Sequence, residues 1–194
     1  MPGGEDDLMP EAIPASRLPG VRFGRLSRHA DERGSFRELW RESAFGPLPA
    51  ADAGRAGATF VQANLSSSAA GVLRGLHYHR RQLDYWVVAA GRVFVALVDV
   101  RPVLADPTNA PVLETRELGA DECVVIPAGV AHGFCAVEQT DLLYLVTNEY
   151  DGTDELGFAW DDPEVGVTWP IRDPILSARD RSNPTLRELV RSLR

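Results

Sequence analysis

Three of the four histidines fall in two short motifs, Gly75-Leu76-His77-Tyr78-His79 and Pro127-Ala128-Gly129-Val130-Ala131-His132-Gly133-Phe134. In an extended segment His77 and His79 point to the same side, because side chains alternate with a period of two. Such a pair either sits exposed on an outer face or lines an interior, where each ring must be hydrogen-bonded or used. A lone histidine favours the first reading and a clustered set the second. Imidazole gains and loses a proton near neutral pH, so a clustered set is suited to general acid–base work.

The elements that must position these rings read as short strands. Residues 59–65 alternate, with Phe60, Gln62 and Asn64 on one face and Val61, Ala63 and Leu65 on the other. Residues 85–88 and 93–100 are β-branched and aromatic runs, and Ala89-Ala90-Gly91-Arg92 between them reads as a hairpin. Further strands are expected over 122–126, 132–137 and 142–148, with a loop over 102–111. Asn183 is placed to cap a C-terminal helix, with Pro184 at its first position and Leu186, Leu189, Val190 and Leu193 as its apolar stripe. Closely spaced short strands predict an all-β sandwich or barrel. Residues 1–20, rich in Gly, Pro and acidic side chains, are expected to form a flexible arm ahead of one domain over 21–194.

Composition narrows the function. The net charge is −8, which argues against a nucleic-acid binder. All 20 basic residues are arginine, so mechanisms that need a lysine amine, such as a Schiff base, PLP chemistry or a P-loop NTPase, are excluded. Arginine favours fork-shaped recognition of phosphate or carboxylate. Cys123 and Cys135 lack CxxC spacing and read as small buried hydrophobes rather than a disulfide or metal ligands. The acidic, polar N-terminus does not read as a secretory signal, and no apolar run approaches a membrane span. A cytoplasmic protein with no membrane partner is expected.

The spacing of Gly71, His77-x-His79, Asp84 and Gly91, with Pro127-x-Gly129-x-x-His132 downstream, resembles the two cupin motifs, with Asp where Glu is usual. Across Arg22 to Asp180 the sequence more specifically resembles the dTDP-4-dehydrorhamnose 3,5-epimerase family. The matching segments are Asp31-Glu32-Arg33-Gly34-Ser35-Phe36-x-Glu38, Gln62-x-Asn64, Gly71-Val72-Leu73-Arg74-Gly75-Leu76-His77-Tyr78, Ile126-Pro127-Ala128-Gly129-x-Ala131-His132-Gly133-Phe134, Leu143-Tyr144, Trp160-Asp161-Asp162-Pro163 and Leu176-Ser177-Ala178-Arg179-Asp180. The resemblance implies a cupin-type double-stranded β-helix (jelly-roll) barrel. It also implies a homodimer that exchanges strands, a dTDP-sugar substrate, no cofactor, and epimerisation of a dTDP-4-keto-6-deoxyhexose at C3, C5 or both.

Epimerisation beside a ketone removes a carbon-bound proton, holds an enolate, and returns a proton to the opposite face. By resemblance His77 is the base, Asp180 the carboxylate that orients it, and Tyr144 the acid. Read without the family, Tyr144 would be a core aromatic and Asp180 a solvated charge. The resemblance further assigns Arg33 and Arg74 to diphosphate and sugar, and Tyr150 to stacking on thymine. Glu38, Gln62, Asn64, Glu155 and Arg179 become further substrate contacts, and His132 lines the same pocket. Arg74 and His77 have opposite strand parity, so both reach one pocket only if the chain bends, with Gly75 the candidate position, or if subunits share residues.

The sequence departs from the family at the lysine that stabilises the enolate. Asp84 stands there, and His79 replaces a usual glutamine. An anion beside a developing enolate repels it. One alternative is therefore a metal-dependent cupin enzyme in which His77, His79, Asp84 and His132 hold a divalent ion on a nucleotide sugar or another small polar substrate. A second alternative is a sugar-nucleotide binding protein without turnover.

Overall fold

The computed structural model describes residues 11–41, 59–150 and 152–194. Two antiparallel sheets carry the fold. The first runs in the order β1 (Glu11–Ala12), β2 (Arg22–Arg25), β10 (Glu122–Ile126), β7 (Asp84–Ala90), β12 (Thr140–Val146) and β5 (Gln62–Ser68). The second runs β13 (Leu156–Gly157), β6 (Leu73–Tyr78), β11 (Val130–Ala136), β8 (Arg92–Asp99) and β9 (Val112–Gly119). A separate hairpin joins β3 (His29–Asp31) to β4 (Gly34–Phe36).

Inward positions of both sheets meet in one core, with Trp86, Val88, Val124 and Leu142 from the first and Val95, Leu97, Val130 and Phe134 from the second. Burying each such side chain stabilises the fold by roughly 1.5–3 kcal/mol. The expected all-β jelly roll is therefore present. A second core forms on the outer face of the five-stranded sheet, where Tyr78, Val98 and Ala131 pack against Leu186, Leu189 and Val190. Those three lie on α3 (Leu186–Ser192), which follows α2 (Ala178–Ser182). The expected apolar stripe holds, but the cap is Thr185: its hydroxyl accepts from the Glu188 amide and the Glu188 side chain accepts from the Thr185 amide. Asn183 instead closes α2.

Three other expectations change. The segment 89–92 is no hairpin, because β7 pairs with β10 and β12 whereas β8 pairs with β11 and β9. Gly91 carries the chain from one sheet to the other at φ 82°, and a Cβ there would stand 2.2 Å from the Gln139 carbonyl oxygen. The stretch 102–111 begins within α1 (Arg101–Ala105), which accepts Pro102 in its first turn. Of the expected flexible arm, residues 1–10 lie outside the described residues, while 11–20 are anchored. There β1 pairs with β2, Leu18 is buried, and the Ser16 hydroxyl and Arg17 amide both donate to Glu114.

The strand carrying His77 has one irregularity. Along β11 and β6, His132 pairs with His77 but Phe134 pairs with Arg74, so β6 holds one residue more than its partner. The extra residue lies at Gly75–Leu76, and Gly75 has φ 127° with Gly133 Cα 2.6 Å from where its Cβ would be.

Candidate active site

His77 and Tyr144 share one cavity of about 120 Å³, whose polar lining also includes Arg74 and Ser66. Trp86, Phe134 and Leu142 supply its apolar lining. The bulge at Gly75 is what lets Arg74 and His77 face the same space, because the extra residue cancels their difference in parity. Tyr144 arrives from the other sheet, flanked by Asn64 on β5 and Trp86 on β7.

Behind the imidazole, His77 Nε2 lies 2.8 Å from Asp180 Oδ1. The carboxylate accepts, so Nε2 carries the proton and the Nδ1 lone pair is available as a base. Asp180 sits in the first turn of α2, where its amide donates to the Ser177 hydroxyl at 3.0 Å. Only 4% of Asp180 is exposed. Burial alone would raise its pKa, but the hydrogen bond and charge of His77, with hydrogen bonds from Ser177 and the Gly75 amide, outweigh it and hold the carboxyl below its ordinary value. For Tyr144, burial and then the negative charges of Asp84 and Glu155 raise the pKa, so the phenol keeps its proton.

Around this centre β5 reads inside out. Gln62, Asn64 and Ser66 are half-buried, whereas Leu65 on the opposite face is 63% exposed. The Gln62 side chain donates to Asn64 at 2.9 Å, and its carbonyl accepts the Tyr150 amide. Arg74 Nε donates to Ser68 at 3.1 Å. A separate shallow cleft is lined by Tyr150, Glu155, His79 and Asn148. There Arg179 donates to Glu155 at 2.8 Å. Burial pushes the Glu155 carboxyl up, but the bond to Arg179 and the neighbouring His79 bring it below its ordinary value.

Arg33 and Glu38 are not brought to this cavity. Arg33 lies on the exposed β3–β4 hairpin, bonded to Asp31, and Glu38 pairs with Arg41. Ser66 and Trp86 are cavity residues that the sequence reading left out. Both could have been found by continuing the period of two, from Gln62 and Asn64 to Ser66 and from Asp84 to Trp86.

The four-residue ligand set also divides. His79, Asp84 and His132 converge, with their donor atoms all within 4.8 Å of one another. His77 stands outside that group with its Nε2 bonded to Asp180. Burial pushes the His132 imidazole down to about 4, partly offset by Asp84, so its ring is neutral. Cys123 and Cys135 are free and buried, and burial pushes the Cys123 thiol up to about 11. No helix among the described residues is long and apolar enough to cross a membrane.

A sequence profile described as dTDP-4-dehydrorhamnose 3,5-epimerase matches residues 15–188. The dTDP-4-dehydrorhamnose 3,5-epimerase of Pseudomonas aeruginosa is 39% identical over 169 residues, which is 84% of this chain and 90% of that protein. Among solved structures, the dTDP-4-dehydrorhamnose 3,5-epimerase from Bacillus anthracis with TDP and PPi bound aligns with a TM-score of 0.77. It is 31% identical, with 91% of this chain and 99% of that one covered. A 3'-monoepimerase from Streptomyces bikiniensis in complex with dTDP-quinovose aligns with a TM-score of 0.79 at 28% identity, covering 93% and 90%.

Proposed function

The chain belongs to the dTDP-4-dehydrorhamnose 3,5-epimerase family, and we propose that it is an isomerase inverting C3, C5 or both of a dTDP-4-keto-6-deoxyhexose. The observation that carries this reading is the placement of His77 and Tyr144 on one cavity with Asp180 behind the imidazole. His77 Nδ1 removes the proton from the carbon beside the ketone, and the C–H electron pair moves onto the ketone oxygen as an enolate. The Asp180 carboxylate fixes the ring and favours its protonated form. The Tyr144 phenol, kept protonated by burial, delivers a proton to the opposite face as the enolate returns to the ketone. A proton leaves and a proton arrives, so no redox cofactor takes part.

Arg74 lies where a fork-shaped cation suits the diphosphate. Gln62, Asn64, Tyr150, Glu155 and Arg179 surround the remaining substrate, Tyr150 by stacking on the base, whereas His132 is buried beside Asp84 and is not among the residues lining the cavity. Arg33 and Glu38 serve the site of a second copy. A homodimer would also cover the exposed Phe36, Val61 and Leu65, and sedimentation of the purified protein reads that state directly. Membership of this enzyme family supports a cytoplasmic location.

Incubation with a dTDP-4-keto-6-deoxyhexose in deuterium oxide tests the reading. Label at C3 and C5 marks a double epimerase, and label at one carbon a mono-epimerase. Tight binding with no label at either carbon would replace the isomerase with a sugar-nucleotide binding protein.

A further inference from the structure

We propose that the Ser66 hydroxyl is a further catalytic group, the donor that holds the enolate oxygen, and that Arg74 polarises it through Ser68. This role rests on the epimerase reading and adds to it the group that carries the enolate charge.

Removing a proton beside a ketone leaves negative charge on the ketone oxygen, and a donor aimed at that oxygen is commonly the largest single contribution to the rate. The polar side chains on the cavity are Ser66, Arg74, His77 and Tyr144. His77 and Tyr144 are occupied by the two proton transfers, which leaves Ser66 and Arg74. The local field makes a donor more necessary, because Asp84 and Glu155 both set negative charge near Tyr144.

The hydrogen bonds behind Ser66 have a direction. A guanidinium only donates, so Arg74 Nε gives its hydrogen to Ser68 Oγ at 3.1 Å. Ser68 is 3% exposed, and its own hydroxyl hydrogen has Ser66 Oγ, 3.5 Å away, as its partner. Among the described residues Ser66 Oγ has no other partner. With a lone pair turned to Ser68, the Ser66 hydroxyl keeps its hydrogen to give, and the cavity it lines is the place to give it. The cation at the head of this chain polarises each hydroxyl in turn, which makes Ser66 a stronger donor than an isolated serine. The 3.5 Å span is long for such a bond, and contacts of this kind tighten as charge builds on the substrate. Arg74 makes no other side-chain hydrogen bond among the described residues, so its terminal nitrogens remain for the diphosphate.

Placement agrees with the role. On the paired strands Asn64 stands opposite Tyr144 and Ser66 opposite Leu142, so Ser66 is the diagonal neighbour of Tyr144 on one sheet. His77 comes from the other sheet. A sugar ring held between His77 and Tyr144 therefore has Ser66 at its rim, where an exocyclic oxygen lies. Ser66 lends a hydrogen bond and keeps its proton. The electron pair that leaves the C–H bond rests on that oxygen and returns when Tyr144 protonates the carbon.

The test is solvent deuterium exchange into a dTDP-4-keto-6-deoxyhexose, read beside steady-state kinetics. Ser66→Ala should lower exchange and kcat together by about 100-fold, with KM within about threefold, because the enolate itself forms more slowly. Ser66→Thr keeps a hydroxyl and should hold kcat within about tenfold of the wild type. Ser66→Cys carries only a weak donor and should lose as much as Ser66→Ala, which reads the role if the alanine variant fails to fold. Ser68 is a positioning residue: Ser68→Ala should lower kcat by about tenfold, and by almost nothing in a Ser66→Ala background. Undiminished exchange by Ser66→Ala, from a wild type that exchanges, overturns the proposal and leaves the epimerase standing. The same loss from Ser68→Ala in both backgrounds overturns the relay. No exchange by the wild type overturns the epimerase reading and the role of Ser66 with it.

Discussion

His77 and Asp180 are 103 residues apart in sequence, yet their side chains meet at 2.8 Å because α2 closes over the end of β6 that carries the imidazole. Asp180 touches His77 and lies behind it, which makes it a positioning residue. Asp180→Asn should therefore lower kcat by about 100- to 1,000-fold with KM changed only a few-fold. In a His77→Asn background the same change should add almost nothing, since the two act as a unit. Steady-state kinetics of the two single variants and the double variant check this, and additive losses would separate the pair.

The same contact predicts an acid-stability difference. The Asp180 carboxyl titrates below its ordinary value in the folded protein, whereas in the unfolded chain it titrates near ~3.9. The unfolded chain then binds more protons as pH falls, so this stabilisation is intact above about pH 4 and lost as pH drops through the folded value. Urea midpoints between about pH 6 and pH 3 should fall more steeply for the wild type than for Asp180→Asn.

Tyr144→Phe keeps the ring in its place and removes the hydroxyl proposed as proton donor. Solvent deuterium should still enter the sugar, because His77 can return a proton to the face it came from, while inverted product falls by about 100-fold or more. Mass spectrometry for label and NMR for configuration distinguish the two. Equal loss of label and of inversion would move Tyr144 out of the acid role.

Gly75→Ala should be more damaging than Gly34→Ala. Both glycines have φ near 130°, but a Cβ at Gly75 meets Gly133 Cα at 2.6 Å and the His132 oxygen at 2.9 Å, whereas a Cβ at Gly34 has no neighbour within 4 Å. Backbone strain is common to both, and the clash adds about 1–3 kcal/mol at Gly75. Chemical denaturation of the two variants measures the difference.

Much of the site was legible because its residues cluster in sequence. The two histidine motifs, the strand with Tyr144 and the jelly roll all follow from spacing, alternation and family resemblance. What stayed hidden was partner choice. The turn chemistry around Gly91 is that of a hairpin, and nothing local states that β7 and β8 join different sheets. Residues 102–111 carry loop composition, yet Pro102 is as compatible with the first turn of a helix as with a turn. The His77-x-His79 pair promised one shared task, but Asp180 and the Asp154 carbonyl draw the two rings into separate networks. Arg33 and Glu38 were grouped with the cavity by motif alone; within a single chain Arg33 is exposed and bonded to Asp31, and the half-buried Glu38 pairs with Arg41.

The extra residue at Gly75 divides one strand into two halves of opposite phase. Arg74 just before it and His77 just after it stand three positions apart, yet both line one cavity. Removing the inserted residue would turn one of those two side chains away from the cavity, so the make-up of the pocket hinges on a single glycine.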